Sequence, residues 1–346
     1  MLSWFIFFET EVLSHSAFNP TQLPTTNDRY QVETLTGFAS RFLGNARDVR
    51  VARWGERSKV GGWMEKAKRA FGRRQIDERA MLVLNDGQDL EALGILETLE
   101  SLFAAGEIIA PVVVAIPANR ERMMEYGISA HPDSAGRGAR AGAYAQFVLQ
   151  ELMPAVRARY GLSIRPATTA VLGASLGGLS AFDLAWRHPD MFGICGVFSG
   201  SFWWRADSTD ARAKQASRIA HRLVRECSDA EMLMRARRGA RLWFQAGTAD
   251  ETDDRDGNGV IDAVQDTTEL IDELVARGWE PGRNLVYREV AGGRHEPSTW
   301  KDVFGEFARF AFGRERRKGT RQRAELVVPM ANDEGAKDQG SMTVHG

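Results

Sequence analysis

The amino-acid sequence predicts an α/β fold, a mostly parallel central sheet with helices on both faces. Three observations predict it. Between residues 80 and 312 short apolar runs alternate with stretches of helical period, the pattern of successive β-α-β units. The motifs that could carry chemistry stand just beyond those apolar runs, where open α/β sheets place their ligands. The 346 residues are 43% hydrophobic and 26% charged, enough for a large core without disulfides or a metal.

The elements follow in chain order. Residues 1 to about 30 end in the turn-rich Asn19–Asn27 and read as a loose arm. Segments 31–44 and 48–54 read as strands joined at Gly44-Asn45. Residues 55–79 are rich in Lys and Arg, with Trp63 and Phe71 at helical spacing. They read as a basic amphipathic insert, either a solvated surface helix or a lid or docking element. Met81–Leu84 is a buried strand closed by Asn85-Asp86-Gly87, and 91–104 has helical period. Pro111–Ile116 is a strand stopped by Pro117. Residues 139–159 read as one long helix kinked at Pro154, because proline lacks the N–H an interior turn needs. Strands are then expected at 168–172, 192–199, 241–245 and 284–290, and helices at 177–187, 208–238, 266–278 and 298–312. The period stops after Phe312, so residues from about 314 read as a disordered tail.

Lys+Arg (45) and Asp+Glu (46) leave a net charge of −1, so no global field draws nucleic acid. Two cysteines, Cys195 and Cys227, make no disulfide scaffold and no CxxC redox pair. No apolar run reaches the ~18 residues of a membrane span. The apolar start lacks a basic flank and a small-residue cleavage site, so cytoplasmic residence is expected. The sequence leaves the oligomeric state open.

Gly173-Ala174-Ser175-Leu176-Gly177 matches G-x-S-x-G, between an apolar strand and a helix beginning at Gly177-Gly178. A serine on such a strand–turn–helix elbow is a nucleophile candidate. It needs a base. His15 and His345 lie in the loose ends, His131 in a Pro/Gly loop, His188 at a helix end and His221 on a charged helix. His295 follows the last strand and precedes a helix, which makes it the candidate base. The orienting acid should follow the strand between them. Asp250 is first in line, with Glu251, Asp253 and Asp254 as rivals. The order Ser175, Asp250, His295 is that of α/β-hydrolases. Donors for an oxyanion are expected at the N–H groups of Leu176 and Gln88.

At these residues the chain resembles the esterase family of α/β-hydrolases that includes enterochelin esterases, esterase D-type S-formylglutathione hydrolases, feruloyl esterase domains and mycolyltransferases. The resemblance covers about residues 33–313. It rests on Leu82-Val-Leu-Asn-Asp-Gly-Gln-Asp89, Arg122–Tyr126, Gly173–Gly178, Ser199–Trp204, Gly247–Asp250 and Gly293-Arg-His295 with Trp300. It implies a serine esterase acting on a small-molecule ester without an organic cofactor, with Ser175 as nucleophile, His295 as base and Asp250 as acid. An acyltransferase on the same triad and a catalytically silent hydrolase fold used for binding are the alternatives. The basic insert departs from the compact family pattern.

Phe202-Trp203-Trp204 follows the strand after the nucleophile helix and is the candidate substrate pocket, with core packing as the alternative. Arg122 and Glu125 are expected to pair and brace the site. Asp254, Asp256, Asn258, Val260 and Asp262 stand at positions 1, 3, 5, 7 and 9 of a calcium-loop pattern with Gly259 at 6. Gln265 replaces the bidentate acid at position 12, so weak binding or altered ligation is expected, or an ion-free Asp/Gly turn.

Overall fold

The computed structural model describes residues 30–55, 80–227, 230 and 239–314. The expected arm, basic insert and C-terminal tail lie outside the described residues, as does most of 228–238.

Eight strands form one sheet among the described residues: β1 (Tyr30–Ser40), β2 (Asn45–Trp54), β3 (Met81–Asn85), β4 (Val112–Ile116), β5 (Thr169–Ala174), β6 (Ile194–Phe198), β7 (Arg241–Ala249) and β8 (Leu285–Arg294). Their spatial order is β1-β2-β4-β3-β5-β6-β7-β8. The β1/β2 and β2/β4 pairs are antiparallel, and every pair from β4 to β8 is parallel.

The period-2 alternation of the strands feeds two cores. Met81, Val83, Val171, Val197 and Phe244 face one side of the sheet, where Leu179 and Phe182 of α5 (Leu176–Arg187) and Leu270 and Leu274 of α8 (Asp262–Ala276) pack on them. Leu82, Leu84, Leu172, Phe198 and Trp243 face the other, under Leu99 of α1 (Ile95–Ala104) and Phe304 and Phe307 of α9 (Pro297–Phe312). Strands buried on both faces read as continuous apolar runs, which is why β3 to β7 are visible in the sequence.

The remaining helices are α2 (Arg122–Glu125), α3 (Ala141–Gln146), α4 (Met153–Tyr160), α6 (Ala211–Ala216) and α7 (Ile219–Arg225). Two differences from the sequence reading have local causes. The long helix expected at 139–159 is α3, a π-helical stretch Phe147–Leu152 and α4, with Pro154 in the first turn of α4. The wider π turn accommodates the proline, which can sit in a first turn but not in a continuous α-ladder. The last strand continues through Ala291–Arg294, which reads as a loop. Its register against β7 slips between Gly247 and Ala249, and Gly292 sits at φ 69°, a bulge that a glycine absorbs without strain.

Candidate active site

Ser175 is the first residue beyond β5 and the cap of α5, with φ 56° and ψ −126°. Few L-residues adopt that conformation. Its N–H donates to Phe198 O (2.8 Å), and its carbonyl accepts from Gly178, Leu179 and Ser201 N–H. The half-buried side chain makes no capping bond. The two motif glycines are needed for different reasons. A Cβ at Gly173 would overlap the Gly177 carbonyl, whereas a Cβ at Gly177 would come within 2.5 Å of Asp86 Oδ2.

Asp250 and His295 leave neighbouring parallel strands side by side, since Ala249 pairs with Arg294. Asp250 Oδ2 accepts the Gly247 N–H at 3.1 Å, while Oδ1 is buried with no hydrogen-bond partner. The His295 ring, which keeps an exposed edge, meets Trp300 edge-on at 5.3 Å. Trp300 Nε1 in turn donates to Ser199 Oγ at 2.9 Å. Burial, then the Arg122 charge, lower the His295 pKa below its usual 6.5, and the Asp250 carboxylate opposes them. The ring is therefore neutral at pH 7, the form a general base requires.

Leu176 opens α5 and is buried. Gln88 lies inside a short 3₁₀ turn, Gly87–Asp89, that directly follows β3, the strand beside β5. Its side-chain Oε1 accepts the Ala118 N–H at 2.9 Å. Gly87 is required by packing: a Cβ there would run into the β4 backbone at Ala115 and Ile116. The candidate nucleophile, base, acid and oxyanion donors thus share the C-terminal edge of the sheet.

Residues 74–310 match the family described as "Putative esterase". The chain belongs to that esterase family. It is 30% identical over 146 residues to the iron(III) enterobactin esterase of Escherichia coli strain K12, a match over 41% of this chain and 34% of that protein. It is 29% identical over 114 residues to the uncharacterized protein YbbA of Bacillus subtilis, 32% of this chain and 45% of that one. The chain thus spans under half the length of these curated relatives. Among solved structures, the enterochelin esterase of Shigella flexneri superposes with a TM-score of 0.58 at 22% identity, over 81% of this chain and 57% of that one. A ferulic acid esterase superposes with a TM-score of 0.58 at 18% identity, over 83% and 98%. These likenesses establish an α/β-hydrolase fold.

In this esterase-family chain the aromatic triplet is mainly core. Phe202 and Trp204 are fully buried, Phe202 against Phe182 and Phe244, and Trp204 with its Nε1 on His131 O. The loop after β6 turns them inward, so of the expected substrate pocket only Trp203 keeps solvent exposure, under the Arg137 guanidinium at 4.6 Å. The expected Arg122–Glu125 pair is also redistributed. Glu125 binds the buried Arg47 (2.8 Å), and Arg122 chelates Asp86 through Nε (2.7 Å) and Nη2 (2.8 Å). The sequence marks Asp86 only as part of the turn Asn85-Asp86-Gly87, within the Leu82–Asp89 block.

The 254–262 segment folds onto its own donors. Asp254 accepts from the N–H groups of Gly257, Asn258 and Gly259, which hold its carboxyl below the usual range. Asn258 Oδ1 accepts the Val260 N–H, Gln265 Nε2 donates to Asp256 (2.9 Å), and the Arg255 N–H donates to Asp262 (2.9 Å). A calcium ion would share these oxygens, since a carboxylate carries about four lone-pair sites. Among the described residues, ligand atoms of His221, Asp266 and Glu269 lie within 4.8 Å of one another. Arg218 Nη1 already contacts all three, so a guanidinium occupies the place a cation would take.

Proposed function

We propose that this chain hydrolyses carboxylic or thio esters through an acyl-enzyme on Ser175. The observation that carries the reading is a serine held at positive φ between β5 and α5. That strain persists only where the surroundings enforce it. Ser175 Oγ attacks the ester carbonyl while His295 takes its proton. The N–H groups of Leu176 and Gln88 stabilise the oxyanion, and His295 returns the proton to the leaving alcohol or thiol. Water, deprotonated by His295, then releases the acid. The unpartnered Asp250 Oδ1 supplies the acceptor for the other imidazole N–H, which fixes the tautomer and stabilises the imidazolium. No organic cofactor enters any step.

Ser175→Ala abolishes p-nitrophenyl acetate turnover and fluorophosphonate labelling at an unchanged melting temperature. Turnover at the unmutated rate in that variant overturns the reading. The substrate panel sets enterobactin, named in the Escherichia coli relative, beside feruloyl esters, S-formyl thioesters and simple acyl esters.

A further inference from the structure

Asn85 ends β3 and Asp86 follows it, immediately before the turn that carries Gln88, and both are buried, 1% and 5% exposed. Both grip the same residue of the nucleophile helix. Asn85 Nδ2 donates to the Gly177 carbonyl at 2.8 Å, while its Oδ1 accepts the Tyr144 hydroxyl at 2.7 Å. Only an amide satisfies both partners, because one must receive a proton and the other give one. Asp86 packs its Oδ2 on Gly177, where even a methyl group would lie 2.5 Å away.

Asp86 itself is strained, at φ 54° and ψ 47°, a left-handed conformation unfavourable for a residue with a Cβ. Four partners hold it there, one of them the Gln88 side-chain amide, which donates to Oδ1 at 3.3 Å. Its N–H donates to the Tyr126 hydroxyl (3.0 Å), its carbonyl closes the turn on the Asp89 N–H (2.9 Å), and Arg122 binds both carboxylate oxygens. Arg122 stacks on Tyr126 as well, 5.2 Å from the ring centre. A bare carboxylate so near a forming oxyanion would oppose it, and a bidentate guanidinium cancels that charge.

We infer that Asn85 and Asp86 are positioning residues that lock the oxyanion turn onto the nucleophile helix, and that Arg122 neutralises the charge this lock introduces. The inference rests on Ser175 as nucleophile. It makes an unusual demand: removing Arg122 alone should harm the reaction more than removing Arg122 and the Asp86 charge together.

The test is steady-state hydrolysis of p-nitrophenyl acetate by the full chain. Arg122→Gln lowers kcat by about 100-fold, the scale of losing one oxyanion donor, with KM nearly unchanged. Adding Asp86→Asn to that variant restores kcat by about tenfold or more. Asn85→Asp, which turns an acceptor toward the Gly177 carbonyl, lowers kcat with KM steady and serves if the Arg122 variant does not fold. A kcat equal to the unmutated chain's in Arg122→Gln or Asn85→Asp, or no recovery in the double variant, overturns the inference. Failure of fluorophosphonate to label Ser175 in the unmutated chain overturns the reading beneath it instead.

Discussion

Replacing Ser175 by glycine should make the protein more stable than replacing it by alanine, although both changes remove the nucleophile. At φ 56° and ψ −126° a residue with a Cβ carries about 1–3 kcal/mol of backbone strain. Alanine keeps the Cβ and the strain, and glycine removes both. Glycine also gives the unfolded chain more freedom, which costs about 0.5–1 kcal/mol. Neither variant loses a capping bond, because the Ser175 side chain makes none. The difference leaves Ser175→Gly ahead by about 1 kcal/mol, or roughly 2–4 °C in melting temperature for a domain of this size. Paired thermal and urea unfolding of the two inactive proteins measures it directly. A glycine variant that melts at or below the alanine variant refutes the claim that the elbow stores strain.

Since burial and Arg122 hold the His295 pKa below 6.5, the acid limb of kcat/KM should have its midpoint below pH 6.5. Asp250→Asn, which removes the opposing charge, moves the fall lower still, and a limb above pH 6.5 contradicts the electrostatics. His221 is buried with its Nδ1 unpartnered, and burial, then Arg218, lower its pKa to about 3. The folded state thus refuses a proton that the unfolded chain accepts near 6.5. The resulting stability, on the order of 5 kcal/mol, is complete above pH 6.5 and lost as pH falls toward 3; in His221→Gln unfolding titrations that acid loss is smaller. Arg255 contacts Asp262, Asp266 and Glu269, so the melting temperature should be equal in calcium and in chelator, whereas Arg255→Gln lowers it. A calcium-dependent rise in the unmutated chain would show that the ion displaces the loop's own donors.

Strands β3 to β7 were legible because burial on both faces leaves unbroken runs such as Met81–Leu84 and Val112–Ile116. The strand-end positions of Ser175 and His295 were legible because glycine turns mark them in the chain itself. Partner choice was not legible. Arg122 and Glu125 sit three residues apart, a spacing that favours pairing on a helix. Yet α2 is only four residues long, and each side chain finds a stronger partner from another element, Asp86 and Arg47. The inward turn of Phe202 and Trp204 likewise depends on the loop after β6, whose course no local pattern encodes. The calcium-like spacing Asp254–Asp262 is a genuine sequence signal, but spacing does not reveal that Gln265 Nε2 pairs with Asp256 and the Arg255 N–H with Asp262.

Strain itself points to the site, independently of any motif. Among the described residues the non-glycine positions at positive φ are Asp86, Ala130, Ser175 and Ser199. Three of these four directly follow β3, β5 and β6, strands adjacent in the sheet. Each is tied to the others or to the base. Asp86 packs on Gly177 beside Ser175, Ser199 N–H donates to Gln245 at the next strand, and Ser199 Oγ accepts from Trp300, against which His295 rests. A turn chosen only to connect a strand to a helix would use glycine at such positions, since glycine adopts them freely. Side chains there cost stability, and three such residues stand on one edge of the sheet, the edge where the proposed reaction would take place. Among the described residues the N-terminal ends of these strands carry no non-glycine residue at positive φ.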